Sequence, residues 1–405
     1  MPRMRIIGKI YLILAIAIVG GGIFFFIFRD KEKPELKISP DSATVSQRPV
    51  TVDLQDERSG LRSLDIVLIQ KDKEFPILSK QYPDRPRRIA ETFTLDAAKI
   101  VEGDFTLRLS AKDGAFLFAN ALHADLPLTF DKTPPAISVL GRTHNIRQGG
   151  SAMVAYSLSE SPSTTGIKIG NLMFPAFLQP SGTYLCLFPF PHDLDKGVFK
   201  PMIFAEDVAG NRSEAGFYYY ARSGRFRQDR LNISDQFLNA KMPQFRNEVP
   251  DAATPLDIFL KVNKELRVKN EEELYRHGRN TAPSALFVGA FSRQPGKTMA
   301  TFGDRRSYFH RGKQIDSQTH LGVDIASFAQ APIKAANHGR VIFTGFYGIY
   351  GECVIIDHGL GLQSLYGHLS RIDVTEGQDV AQDAVIGLSG ATGMAGGDHL
   401  HFGML

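Results

Sequence analysis

Apolar and polar positions change their period three times along this chain. Residues 10–28, IYLILAIAIVGGGIFFFIF, carry no charge over 19 positions, long enough to span a hydrocarbon core as a helix. Charges bracket the run and no small-x-small cleavage pattern precedes RDKEK, so the pattern predicts an uncleaved transmembrane signal anchor. Arg3, Arg5 and Lys9 stand against Arg29, Lys31 and Lys33, three against three, so flanking charge does not set its orientation. From residue 34 to about 222 the period drops to two. Runs such as VTVDL, LDIVLI, FTLRLSA and AMVAYSL are separated by clusters of Asp, Gly, Ser and Pro, the mark of short strands and turns.

A weak repeat runs through the strand-rich part. FTLRLSAKDGAFLFAN starts at Phe105 and FKPMIFAEDVAGNRS at Phe199, and Ala111 and Asp113 match Ala205 and Asp207 at the same offset of 94. The intervening DKTPP, residues 131–135, favours an extended hinge. Two β-sandwich modules, 34–130 and 131–222, fit this pattern. The AEDVAGN turn resembles that of bacterial immunoglobulin-like domains, with Asp207 and Asn211 read as turn formers rather than calcium ligands. Residues 223–280 then turn helical. In TPLDIFLKVNKELRVKNEEELYRHG, Thr254 reads as an N-cap, Pro255 as the first helical residue and Asp257 as a first-turn acid, with Asn270 able to cap a second short helix before Gly278. The plain reading of this stretch is a connector packing against the next domain. A long insertion ahead of residues 281–405 can alternatively lie over their cleft.

Seven of the eleven histidines fall between His310 and His401. In an extended strand positions two apart share a face, so THLGVDIA sets His320 and Asp324 opposite Leu321, Val323 and Ile325. By the same alternation SLYGHLS places Tyr366 beside His368, and GDHLHFGML places His399 beside His401 with Leu400, Phe402 and Met404 behind. Three such strands build one polar cleft on a sheet, with Tyr366 expected either to line it and offer its hydroxyl to a substrate carbonyl or a metal-bound oxygen, or to pack as a surface aromatic on the sheet edge. His310, His338 and His358 lie in loop-like or glycine-adjacent contexts and are read as structural.

Composition narrows the chemistry. A net charge of +4 over 405 residues does not argue for nucleic acid. Two distant cysteines, Cys186 and Cys353, exclude a disulfide framework and a cysteine-rich zinc site, so a metal must be held by His, Asp or Glu. Zinc takes imidazole and carboxylate, and a catalytic site keeps one position for water. His320, Asp324 and one of the paired histidines supply three ligands. The remaining histidines are then placed to move the proton of the attacking water or to donate to the developing oxyanion. A two-histidine, one-carboxylate iron oxygenase uses the same residue types. The spacing of His320 and Asp324, with a paired histidine at the far end, fits a metal hydrolase better.

The motifs FGDRR, THLGVDIA, APIKAANHGRVIF, YGECVIIDHGLGLQSLYGHLS, VTEGQDV and GLSGATGMAGGDHLHF, in this order, resemble the lysostaphin/LytM-type zinc metallopeptidases of family M23 over roughly residues 285–405. The resemblance implies a mainly β fold in which an antiparallel-sheet peptidase domain follows the anchor, the two modules and the connector. It also implies a Zn2+ cofactor and hydrolysis of peptide cross-links in bacterial peptidoglycan. By motif it makes His320, Asp324 and His401 the zinc ligands, and His399 and His368 the pair that activates water and stabilises the tetrahedral intermediate. Glu352, Asp398 and Gly403 stand where the family more often has Asn, Pro and Glu, which bears on substrate preference. Members usually continue past the last strand, so the chain is expected to be cut short there. Some relatives with degenerate sites only activate other wall hydrolases, but this chain keeps all five functional positions. Because peptidoglycan lies outside the cytoplasmic membrane, everything after Phe28 is expected to be extracytoplasmic, on a single-pass anchor in the inner membrane.

Overall fold

The computed structural model describes residue 14 and residues 18–20, 32–96, 99–115 and 119–405. The span expected at residues 10–28 falls almost wholly outside the described residues. Among the described residues no helix is long and apolar enough to cross a membrane. The described fold is mainly β, and packing divides the chain into two compact units. The first comprises Met1–Pro135 with Glu160–Ser163 and Glu206–Ser213; the second comprises Ala136–Ser159, Thr164–Ala205 and Glu214–Leu405.

In the first unit, a five-stranded sheet that includes Leu61–Gln70 and Gly103–Asp113 faces a three-stranded sheet of Glu35–Ser39, Val50–Gln55 and Arg88–Phe93. Alternation sets the inner faces: Val50, Val52 and Leu54 from one sheet share a core with Leu64, Ile66, Leu107 and Leu109 from the other. The repeated aspartates close matching turns. Asp113 accepts from the Asn120 backbone N–H and side-chain amide at 2.8 and 2.6 Å, and Asp207 accepts from the same two groups of Asn211 at 2.8 and 2.9 Å. Asp207 and Asn211 therefore form a turn, as their spacing suggests.

The second unit contains a four-stranded sheet of Phe177–Leu178, Tyr184–Pro189, Ser151–Leu158 and Ile137–Val139. It continues through a helical segment into the C-terminal sheet. Helix α1 (Asp235–Lys241) begins at Ser234, whose side chain accepts from the Phe237 N–H, and runs into a 3-10 turn at Met242–Phe245. Helix α2 (Pro255–Lys261) opens as its sequence predicts. The Thr254 hydroxyl accepts from the Asp257 N–H at 3.1 Å, and the Asp257 carboxylate accepts from the Thr254 N–H at 3.0 Å, a reciprocal capping box. A π-turn at Val262–Leu266 carries the chain without a break into α3 (Arg267–Gly278). Asn270 therefore does not cap a new helix. It lies inside α3, 4% exposed, where its side chain accepts from the Ile349 N–H at 3.0 Å, so a tertiary partner replaces the cap. Ile258, Phe259, Val262 and Leu266 fall on one helical stripe and bury against Tyr308, Tyr347, Tyr350, Ile355 and Leu365.

Seven antiparallel strands form the C-terminal sheet: β1 (Lys297–Ala300), β2 (Val323–Ala326), β3 (Gly339–Phe346), β4 (Glu352–Asp357), β5 (Gln363–Leu369), β6 (Asp379–Val380) and β7 (Leu400–Met404). Their spatial order is β1-β2-β7-β5-β4-β3-β6. The last strand is thus inserted between β2 and β5, and the register aligns Asp324, His401 and Gly367 in one row across three strands. Helices α1–α3 cover the sheet face that carries Cys353, Ile355 and Leu365. Val354, Ile356, Tyr366 and Leu400 build a second core on the opposite face. Both cysteines are buried and free.

Candidate metal centre

The row Asp324–His401 fixes two site residues by backbone pairing, and His320, in the turn just before β2, adds the third. His320 Nε2 lies 2.9 Å from Asp324 Oδ1, His401 Nδ1 lies 2.9 Å from the same oxygen, and the two ring nitrogens are 3.1 Å apart. Two glycines make the approach possible. A Cβ on Gly322 would lie 2.5 Å from His401 Nε2, and one on Gly367 would lie 3.1 Å from the Tyr350 carbonyl oxygen. His320, Asp324 and His401 are all buried.

Protonation decides what these atoms want. His320 Nδ1 sits 3.1 Å from the Thr301 carbonyl, which can only accept, so Nδ1 carries a proton and Nε2 is the atom turned toward the cluster. Burial, only partly offset by Asp324, drives the His401 pKa down to about 4, so that ring is neutral at neutral pH. Asp324 stays ionised. Burial pushes its pKa up, but the surrounding rings of His320, His399 and His401 hold it well below the carboxylate range. Ring nitrogens of His320 and His401 and an ionised carboxylate thus converge on one point. A divalent cation resolves this convergence on its inner atoms; His401 Nε2, on the far side of that ring from its facing Nδ1, is buried with no hydrogen-bond partner among the described residues. Zinc with bonds of about 2.0–2.1 Å holds ligand atoms roughly 3.3 Å apart, close to the spacings here. The donor set therefore fits zinc, with His320 Nε2, Asp324 Oδ1 and His401 Nδ1 as the facing atoms.

Two more rings border the cluster. His399 Nε2 is 3.6 Å from Asp324 Oδ1 while its Nδ1 donates to the Gly397 carbonyl at 2.8 Å. His368 Nδ1 donates to the Thr392 carbonyl at 2.8 Å, and its ring centroid lies 4.9 Å from His399 and 5.7 Å from His401. In both rings the carbonyl takes the Nδ1 proton and leaves Nε2 open. Their environments push them apart. Burial, with His401 and His399 alongside, holds the His368 pKa well below 6.5, whereas the Asp324 carboxylate outweighs burial and raises that of His399.

Tyr366 does not share a face with His368. His368 has φ +64°, and the β4–β5 register shifts between Glu352 and Val354, so a bulge interrupts the alternation on which that expectation rested. The bulge turns His368 onto the His401 side. Tyr366 points the other way, 1% exposed, with its ring 5.4 Å from Phe402 and its hydroxyl accepting from the Ala336 N–H at 2.7 Å and from Ser364 at 3.0 Å. It is a core residue. His358 is likewise fully buried outside the cluster, with Nδ1 on the His338 carbonyl and Nε2 on Ser364 Oγ.

Several supporting residues escaped the pattern-based reading. Arg306 Nη2 donates to Asp324 Oδ2 at 2.7 Å, occupying the carboxylate oxygen that faces away from the two histidines. Asp304, fully buried, caps the Thr301 turn at 2.7–2.9 Å and takes an ion pair from Arg227 at 2.8 Å, so the carbonyl that orients His320 is held in place. Only FGDRR hinted at this group, and its spacing carries no partner information.

Residues 318–405 match the model of Peptidase family M23. Over 83 residues the chain is 41% identical to the DD-carboxypeptidase/endopeptidase Mpg of Neisseria meningitidis serogroup B, covering 20% of this chain and 19% of that protein. It is 38% identical over 86 residues to the peptidoglycan DD-endopeptidase ShyA of Vibrio cholerae, covering 21% and 20%. The chain thus matches about a fifth of the length of these curated relatives. Among solved structures, it resembles a zinc-containing peptidase from Vibrio cholerae over 88% of this chain and 75% of that one, with 15% identity and a TM-score of 0.26. The lysostaphin catalytic domain from Staphylococcus simulans aligns over 33% of this chain and 84% of that domain, with 24% identity and a TM-score of 0.21. Both ligand motifs lie inside the C-terminal stretch, residues 318–405, that matches the Peptidase family M23 model.

Proposed function

We propose that this protein is a zinc-dependent endopeptidase that hydrolyses peptide cross-links of bacterial peptidoglycan. The observation that carries the reading is the convergence of His320 Nε2, Asp324 Oδ1 and His401 Nδ1 within 3.1 Å, bordered by two tautomer-fixed histidines. The substrate class comes from the matched relatives, ShyA being named a peptidoglycan DD-endopeptidase. Zinc held by the three ligands would supply a Lewis acid that polarises the scissile carbonyl and makes water nucleophilic at neutral pH. The Nε2 of His368 or His399, bare at the outset, takes the proton of the attacking water and, once it carries that proton, donates to the developing oxyanion. Residues 10–28 anchor the chain in the inner membrane, and the two β modules, read as immunoglobulin-like, hold the peptidase out toward the wall. A reporter fused after residue 28 is expected to be active outside the cytoplasm; activity confined to the cytoplasm refutes the anchoring.

Zinc content and cleavage of purified cross-linked muropeptides, with products identified by mass, test the site. His320→Ala, Asp324→Ala and His401→Ala should lose both metal and turnover, because two remaining protein ligands hold zinc poorly. His399→Ala and His368→Ala should keep near-stoichiometric zinc and lose roughly 10²–10⁴-fold in rate. Zinc retained by His401→Ala but lost from His399→Ala would reverse the two roles. Full activity in both would move the site elsewhere.

A further inference from the structure

The site as described takes no residue from the helical segment, yet α1 and its 3-10 extension grip the loop that orients His368. The Thr392 carbonyl accepts from His368 Nδ1 at 2.8 Å. In a trans peptide the carbonyl and the following N–H point in opposite directions, so the far end of this same unit is the Gly393 N–H. That N–H donates to Gln244 Oε1 at 3.1 Å, and Gln244 Nε2 donates back to the Gly393 carbonyl at 3.1 Å. Lys241 Nζ donates to the Ala391 carbonyl, on the other side of Thr392.

The rest of the loop is already immobilised. Thr392 Oγ1 donates to the Leu369 carbonyl at 2.8 Å and accepts from the Glu352 N–H at 2.9 Å. Gly393 and Gly351, both at φ +64°, approach so closely that a Cβ on Gly393 would lie 2.4 Å from Gly351 N. What these contacts leave free is rotation of the Thr392–Gly393 peptide plane, which would carry the carbonyl away from His368. Gln244 opposes that rotation from the far end. Its own backbone is fixed, because Met242 and Phe245 on either side are fully buried in the helical core.

We propose that Gln244, assisted by Lys241, is a positioning residue for His368: it orients the Thr392–Gly393 peptide so that His368 stays protonated at Nδ1 and presents a bare Nε2 to the cluster. The inference builds on His368 being the proton-transferring partner of the reaction proposed above, and it gives the helical segment a part in the site beyond connecting two domains.

The test uses the full-length, zinc-loaded protein with 15N-labelled histidine, with His368 assigned by comparison with His368→Ala. In the native protein His368 should show one protonated Nδ1 and one bare Nε2. In Gln244→Leu both nitrogens should move toward intermediate shifts, and kcat should fall about tenfold with KM and zinc content unchanged. Gln244→Glu keeps an oxygen for the Gly393 N–H and should restore the native pattern. His358, remote from this loop, reports folding, and its signals should not move in either variant. Native His368 shifts in Gln244→Leu overturn the proposal. If the native protein cleaves no muropeptide, the enzymatic reading fails, while the tautomer shift in Gln244→Leu still decides the positioning claim.

Discussion

Asp324 does two jobs with its two oxygens, and the second depends on Arg306. With Oδ1 turned to His320 and His401, Oδ2 is held by the Arg306 guanidinium at 2.7 Å. Losing that partner frees the carboxylate to rotate, and outer-shell changes of this kind typically cost about 10–100-fold in metal affinity. Arg306→Ala should therefore release zinc to a chelator at correspondingly lower concentration, measured by competition with a colorimetric chelator. Unchanged affinity would show that the ligands hold Asp324 unaided. Tyr366 makes the opposite case. Tyr366→Phe strands the buried Ala336 N–H, a loss of about 1–3 kcal/mol in urea unfolding, while zinc binding and turnover stay at native values. A fall in turnover without loss of stability would return the hydroxyl to the cleft.

At the scale of elements, the two helix signals at Thr254 and Asn270 differ in what they report. The capping box at α2 is local, three residues apart, and Thr254→Ala should cost about 1 kcal/mol without touching the site. Asn270 sits within a continuous helix and satisfies the Ile349 N–H of the loop that leads to Tyr350, whose ring lies 5.2 Å from His401. Asn270→Ala leaves that buried N–H unpaired at a cost of about 1–3 kcal/mol. Parallel thermal melts of the two variants, each with zinc, are expected to rank Asn270→Ala as the less stable. Equal losses would mean that water replaces the side-chain amide.

On the scale of the molecule, the helical segment and the C-terminal sheet share one core. Removing residues 232–278 would uncover Tyr347, Tyr350, Ile355 and Leu365. A fragment 279–405 should accordingly aggregate or melt far below a fragment that begins at Ile233, as read by light scattering and calorimetry. A well-folded, equally active 279–405 would restore the plain connector reading. Acid sensitivity is a second whole-molecule property. Burial holds the His358 pKa below 6.5, against the pull of the His338 carbonyl and Asp357. The unfolded chain then binds this proton more readily, so the contribution is complete above about pH 6.5 and is lost as pH falls through the folded value. His358→Gln should lower Tm at pH 7.5 and flatten its decline between pH 6.5 and 5. An unchanged slope would assign acid sensitivity to other groups.

Local chemistry made much of this protein legible before folding. Period-two runs marked strands, the Thr254–Asp257 spacing marked a helix start, and the repeated aspartates marked matching turns, because each depends on neighbours within a few residues. His320 and Asp324, and the pair His399 and His401, were also visible, since a strand or tight turn fixes which side chains lie together. The tertiary structure alone decided the rest. Insertion of β7 between β2 and β5 is what brings His401 to Asp324 across 77 residues of sequence. Alternation failed at Tyr366 because a bulge and a positive φ at His368 are imposed by strand pairing, not by the residues themselves. Asn270 looked like a cap, and nothing in the sequence marked Gln244, because their partners, Ile349 and Gly393, lie 79 and 149 positions away. Contacts at such separations form only when the chain has closed on itself, and no local period records them.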